Sequence, residues 1–178
     1  MRRNLLFITV SLAIIALLGF QFAPGGKSKS ELFTIYLVRH AEKDVGANPG
    51  DPPLTACGEQ RAELLSSFFN DVPLEAVYST PYSRTQQTAS PTAKAKGLII
   101  QDYSGNDLER FAQILIDAKQ DALVVGHSNT TGVLAGILAG EDIGAFDEAI
   151  YNRIYQVVIS EKAGRLHVFH TSFSCGQE

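Results

Sequence analysis

Two arginines and two histidines stand where apolar runs of the chain end. Arg39-His40 follows Thr34-Ile35-Tyr36-Leu37-Val38, Arg84 lies just beyond Ala76-Val77-Tyr78-Ser79, and Gly126-His127 follows Ala122-Leu123-Val124-Val125. An arginine presents a rigid fork of donors suited to phosphate oxygens, and a neutral imidazole can serve as base, nucleophile or metal ligand. An isolated Arg-His pair reads as a surface charge beside a capping residue. Three such edges together read as a pocket complementary to a phosphoryl group. In phosphoryl transfer negative charge spreads over three equatorial oxygens while nucleophile and leaving group stay in line, so catalysis needs positioning and cationic donors. Arg39 and Arg84 fit as clamps. One imidazole can form a covalent phosphohistidine, and a second, preferably protonated, can donate to the phosphoryl oxygens.

The elements that must position these residues are legible from periodicity and turn chemistry. The first run predicts a buried strand ending at Arg39. Ala47-Asn48-Pro49-Gly50-Asp51-Pro52-Pro53 is dense in turn formers and predicts a loop beside that edge. A helix follows over about 58–69, capped by Thr55, then a strand at 76–79, then a helix from Tyr82 to about Lys94 with Pro81 at its start. Leu98-Ile99-Ile100 predicts a third strand. Asp107 caps a helix over 108–118, on which Leu108, Phe111, Ile114 and Leu115 form one stripe. Residues 122–125 predict a fourth strand, followed by a helix through Leu138 that Gly140 stops. Ile154–Ile159 and Leu166–Phe169 flank the turn Glu161-Lys162-Ala163-Gly164 and predict a closing hairpin. Strands alternating with helices imply an α/β three-layer sandwich, with a mainly parallel sheet, helices on both faces and an antiparallel edge strand. In such sheets ligands bind at the carboxyl edge, where Arg39, His40, Arg84 and His127 would meet.

The chain has 178 residues and a formal charge of −4. That length suits one catalytic domain, and the acidic balance argues against a nucleic-acid partner. Met1-Arg2-Arg3-Asn4 precedes a charge-free run from Leu5 to Ala23, close to the roughly 20 residues that span a bilayer. Residues 1–23 therefore read as a membrane anchor or signal peptide, 24–30 as a polar linker and 31–178 as the folded domain. Arg2 and Arg3 place that domain on the periplasmic, extracytoplasmic side of the cell membrane by the positive-inside rule; a secreted or periplasmic form after signal cleavage is the alternative. Cys57 and Cys175 are the only cysteines. An even count in an exported chain permits a disulfide, and two free thiols explain it equally well.

Arg39-His40-Ala41-Glu42 resembles the Arg-His-Gly-Glu motif of the histidine phosphatase (phosphoglycerate mutase-like) superfamily, with Ala41 in place of glycine. Leu54-Thr55-Ala56-Cys57-Gly58 with Arg61-Ala62 is similar to that family's Leu-Thr-x-x-Gly helix start. Tyr78 to Ala89 resembles the segment carrying its second phosphate-binding arginine, and Val124 to Asn129 the segment carrying its second histidine. The four matches run in family order. The resemblance implies a short phosphatase-type member, a phosphomonoester hydrolase without metal or cofactor. It also implies His40 as the phosphorylated nucleophile, with Arg39, Arg84 and His127 binding phosphate. The family's usual proton donor is a carboxylic acid after the third strand, where Asp102 is the first candidate and Asp107 the alternative. A phosphorylated small molecule or a phosphoprotein would be the substrate. The alternatives are a non-catalytic phosphate-binding module of the same fold and a phosphoglycerate mutase-type phosphotransferase. Ser79 reads as structural, Glu42 and Lys43 as rim residues or exposed charges. His167 and His170, at odd spacing in one strand, lie on opposite faces and cannot jointly hold a metal.

Overall fold

The computed structural model describes residues 32–160 and 163–175. The anchor and linker expected at 1–23 and 24–30 lie outside the described residues. Among those described, no helix is long and apolar enough to cross a membrane.

The chain runs β1 (Phe33–Arg39), α1 (Ala56–Phe68), β2 (Ala76–Ser79), α2 (Ser83–Lys96), β3 (Ile100–Asp102), α3 (Leu108–Ala118), β4 (Ala122–Gly126), α4 (Thr131–Ala139), β5 (Arg153–Ile159) and β6 (Gly164–His170). The six strands form one sheet in the order β3-β2-β4-β1-β5-β6. Pairings β2/β3, β2/β4 and β1/β4 are parallel; β1/β5 and β5/β6 are antiparallel. The expected mixed sheet is present; β5 alone runs against the other strands, and β6, its hairpin partner, forms the edge.

Successive strand residues alternate between two cores. Leu37, Tyr78 and Val124 pack with Phe111 and Leu115 of α3 and Leu134 of α4, while Val38, Val77 and Val125 pack with Leu65 of α1 and Ala89 and Ala93 of α2. Both faces are thus covered, which is why the parallel strands are continuous apolar runs.

Two expectations shift. β3 begins at Ile100, and Ile99 is 85% exposed. The reason is the end of α2, where Gly97 is left-handed and Leu98 N–H returns to Ala93 O at 2.9 Å. Leu98 therefore closes a helix instead of opening a strand. On α3 the buried positions are Leu108, Phe111, Ala112 and Leu115, while Ile114 is 48% exposed. The stripe follows i, i+3, i+4, i+7, and Ile114 falls off that face.

Thr55 caps α1 by accepting from Gly58 N–H at 3.0 Å. A Cβ at Gly58 would collide with the Glu42 carbonyl oxygen, so glycine is required where α1 abuts the segment after His40. α2 has no capping side chain of its own. Asp51 supplies one from the 47–53 loop, accepting from Ser83 N–H at 2.9 Å and Ser83 Oγ at 2.6 Å. That loop is therefore tied to the helix carrying Arg84.

Candidate functional site

β2, β4 and β1 are adjacent and parallel, with Ser79 opposite Val125 and Arg39 opposite Gly126. Their ends lie at one level by construction. His40 N–H donates to Gly126 O at 2.9 Å, fixing the start of one loop on the end of the neighbouring strand. Ala41 N–H donates to Thr88 Oγ1 at 2.9 Å, and Thr88 Oγ1 donates to Arg84 O at 2.7 Å. The loop bearing His40 is thereby bound to the helix bearing Arg84. Gly126 is tightly enclosed, since a Cβ there would run into Tyr103 Oη and Thr130 Oγ1.

His40 is 3% exposed, and its Nδ1 lies 2.7 Å from the Ala41 carbonyl oxygen. A carbonyl only accepts, so Nδ1 carries the proton and Nε2 keeps its lone pair. Burial first, with the nearby Arg39, His127 and Arg84 adding to it against the Ala41 bond, lowers the imidazole pKa to about 3. The ring is neutral at physiological pH. His127 stands with its ring centroid 5.4 Å from that of His40, at 67°. Its pKa is lowered to about 4, by burial above all and then by Arg84, Arg39 and Lys43. The sequence reading preferred a protonated His127; in the free protein desolvation and three cations keep it neutral.

Arg39 is 4% exposed. Its guanidinium donates to the carbonyl of Glu148, to Ile150 O at 3.3 Å and to the Tyr151 hydroxyl at 3.4 Å, and lies 4.1 Å over the Tyr151 ring. Arg84 lies 3.7 Å from Asp51 Oδ1 and 4.6 Å over the Tyr82 ring. The Nε–H of both arginines is buried without an acceptor. Leaving a buried donor of a charged group unmatched costs on the order of 1–3 kcal/mol or more, so both side chains are held in place at some cost to the fold. Arg39, His40, Arg84 and His127 line a single cavity of about 680 Å³. All four residues singled out by the sequence are brought together.

Asp102 also lines this cavity, at the end of β3, where it accepts from Gln86 Nε2 at 2.7 Å. Asp107 does not line it. It caps α3, accepting from Arg110 N–H at 3.0 Å. Ser79 is buried and donates to the Thr80 carbonyl at 2.9 Å, as a structural residue would. Lys43 lines the cavity, 3.9 Å from Glu148. Glu42 turns away and pairs with Arg61, whose Nε lies 3.0 and 2.9 Å from its two oxygens and whose NH2 lies 2.5 Å from Oε1. His167 and His170 are exposed on β6. Cys57 and Cys175 form a disulfide with a Cα separation of 5.8 Å. Among the described residues, the grouping of possible metal ligands is Glu42 with Cys57 and Cys175, and the disulfide withdraws both sulfurs as thiolates.

The sequence reading missed Thr80, Tyr82, Glu148 and Tyr151. Thr80 Oγ1 lies 2.9 Å from His127 Nε2, and the Tyr82 ring stands 5.3 Å from the imidazole. Glu148 and Tyr151 come from the connection between α4 and β5. Its length was the available signal, since long connections inside compact domains are commonly functional.

Residues 35–105 match the family profile described as histidine phosphatase superfamily (branch 1). That span includes Arg39, His40, Arg84 and Asp102; His127 lies beyond it. Phosphoserine phosphatase 1 of Hydrogenobacter thermophilus is 41% identical over 69 residues, a match covering 36% of this chain and 33% of that protein. The chain thus aligns with about a third of the curated relative's length. Among solved structures, the protein histidine phosphatase SixA complexed with tungstate superposes with a TM-score of 0.66 at 19% identity, over 78% of this chain and 97% of that one. The alpha-ribazole phosphatase from Shigella flexneri gives a TM-score of 0.65 at 19% identity, over 82% and 100%. At such identities these likenesses establish the fold. The profile match includes the strand edge that bears Arg39 and His40, and the fold is shared with these solved structures along most of the domain; residues 35–105 are thus similar to the histidine phosphatase superfamily.

Proposed function

We propose that the protein is a phosphomonoester hydrolase working through a phosphohistidine on His40, independent of metal ions. The observation that carries this reading is the convergence of Arg39 and Arg84 on one cavity with an imidazole whose Nε2 lone pair is free. His40 Nε2 attacks phosphorus, the bond to the leaving oxygen breaks, and Arg39 and Arg84 neutralise the charge spread over the equatorial oxygens. The two guanidiniums supply the positive charge that a metal would otherwise bring. Asp102 gives a proton to the leaving oxygen, and the carboxylate so formed then draws a proton from the water that attacks the phosphohistidine. The P–N bond breaks, Nε2 regains its lone pair and phosphate leaves. The phosphatase activity named for the Hydrogenobacter relative supports the hydrolase reading over a mutase-type phosphotransferase. The substrate is a phosphorylated small molecule or a phosphoprotein.

The test is turnover of an aryl phosphate and trapping of radiolabelled phosphate on the chain. His40→Ala should lower turnover by several orders of magnitude and abolish the acid-labile label. A His40→Ala variant with retained turnover would sink the mechanism. Asp102→Asn should slow alkyl phosphates by about 10²-fold while sparing p-nitrophenyl phosphate, whose leaving group needs no proton.

A second reading, a phosphate-binding module without turnover, is favoured by one observation: Asp102 is exposed and held by Gln86. Phosphate binding without turnover or label would establish it.

For location, we propose the extracytoplasmic side of the cell membrane, with residues 1–23 as anchor or cleaved signal. The disulfide supports this, because such bonds persist in oxidising compartments. Cell fractionation, with a periplasmic or membrane-bound fraction expected and a cytosolic one opposing, is the check.

A further inference from the structure

A neutral imidazole carries one N–H, and the nitrogen bearing it decides whether an anion meets a donor or a lone pair. For His127 the surroundings of Nε2 make that choice. Thr80 Oγ1 lies 2.9 Å from Nε2 and 3.0 Å from Thr85 Oγ1. Thr85 Oγ1 in turn lies 2.8 Å from the carbonyl oxygens of both Thr80 and Tyr82. Thr80 is 2% and Thr85 0% exposed, so bulk water does not complete the pattern. The carbonyls only accept, and the single Thr85 proton therefore goes to them. Thr85 is left with lone pairs toward Thr80. The Thr80 proton goes to Thr85, and a Thr80 lone pair faces His127. The proton between Thr80 and His127 then belongs to Nε2.

We propose that Thr80, backed by Thr85, is a positioning residue that holds His127 as its Nε2–H tautomer, so that an entering phosphoryl group meets an N–H donor beside Thr80. Thr80 and His127 line the same cavity as His40. The catalytic consequence rests on the hydrolase reading; the proton placement is a property of the folded chain. The two histidines are thereby opposites. In His40 a backbone carbonyl takes Nδ1–H and frees Nε2 to attack. In His127 two hydroxyls keep Nε2 protonated, and a ring that burial holds neutral still donates.

The experiment uses the full chain with 15N-labelled histidine, reading tautomers from long-range 1H–15N spectra at neutral pH and kcat and KM from p-nitrophenyl phosphate. Wild-type His127 should carry its proton on Nε2. Thr80→Val should give mixed tautomers and lower kcat by about tenfold with a smaller change in KM, and Thr80→Ser should rescue both signatures. Thr85→Val should move the proton to Nδ1, because the Thr80 hydroxyl, deprived of its acceptor, turns and donates to Nε2. A wild-type His127 protonated on Nδ1 overturns the proposal whatever the variants do. So does a Thr85→Val protein that keeps Nε2–H, or a Thr80→Val protein with unchanged kcat. The spectra need no turnover, so an inactive wild type would defeat the hydrolase reading while the tautomer is judged separately.

Discussion

Arg61 and the pair Arg39 and Arg84 are largely enclosed guanidiniums in one small domain, and they differ in what surrounds them. Arg61 on α1 is saturated: Nε and NH2 meet the Glu42 carboxylate, NH1 donates to Phe173 O at 3.2 Å, and the guanidinium lies 4.8 Å over the Phe173 ring. The disulfide from Cys57 to Cys175 holds the segment that supplies Phe173 against the same helix. Arg39 and Arg84 each keep a buried Nε–H with no acceptor. Arg61 meets a carboxylate at close range, whereas Arg39 meets carbonyl and hydroxyl oxygens and Arg84 a carboxylate 3.7 Å away, so the charge of this pair is less fully matched within the chain. One corner of the molecule is closed by its own chain, and the other opens on the cavity shared with His40 and His127.

The sharpest way to break this comparison is to truncate one arginine of each kind. Arg39→Ala or Arg84→Ala should lower kcat/KM for an aryl phosphate by about 10²–10³-fold, while thermal unfolding of Arg84→Ala stays near wild type. Arg61→Ala should do the reverse, costing about 3 kcal/mol of stability because Glu42 is left unpaired, with turnover of the folded fraction little changed. Denaturant unfolding beside steady-state kinetics separates the two, and a stability loss at Arg84 as large as at Arg61 would erase the distinction.

Reduction of the disulfide, which closes a separation of 118 residues, should lower stability by about 2–4 kcal/mol and leave kcat nearly intact. Loss of turnover on reduction, with the fold preserved, would mean that the closed corner also governs the open one.

The smallest effect is electrostatic. His40 and His127 have pKa values of about 3 and about 4 in the folded chain against an ordinary value near 6.5. Below about pH 6.5 the unfolded chain binds protons that the folded chain refuses, so stability falls with pH through that window and the two groups add no slope above it. His40→Ala should flatten the acid limb of a stability-versus-pH curve. Sulfate, already a dianion at about pH 5, should be taken up with protons at that pH, because a dianion beside His127 favours its charged form, and calorimetry in buffers of different ionisation enthalpy reads that uptake. Proton release on binding would contradict it.

The strand edges were legible because their signals are local. An apolar run followed by Arg-His, or by Gly-His, states both the strand and its end within a few residues, and Thr55 and Asp107 announce helix starts in the same way. β3 was misplaced because Leu98 satisfies two patterns, a strand start and the apolar contact that closes a helix. Geometry at the end of α2 decides between them.

By itself the sequence determined the α/β alternation, the four residues that line the shared cavity and their common edge, since a parallel sheet brings successive strand ends together. Only the tertiary structure decided the remainder. The carbonyls that hold Arg39 come from Glu148 and Ile150, the loop carboxylate that caps α2 from Asp51, and the partner of Cys57 from the far end of the chain. Nearest to the chemistry, it set the protons of the two histidines. The reason is that a tautomer depends on which oxygen lies within hydrogen-bonding distance of a ring nitrogen, and residue type and spacing do not state that distance.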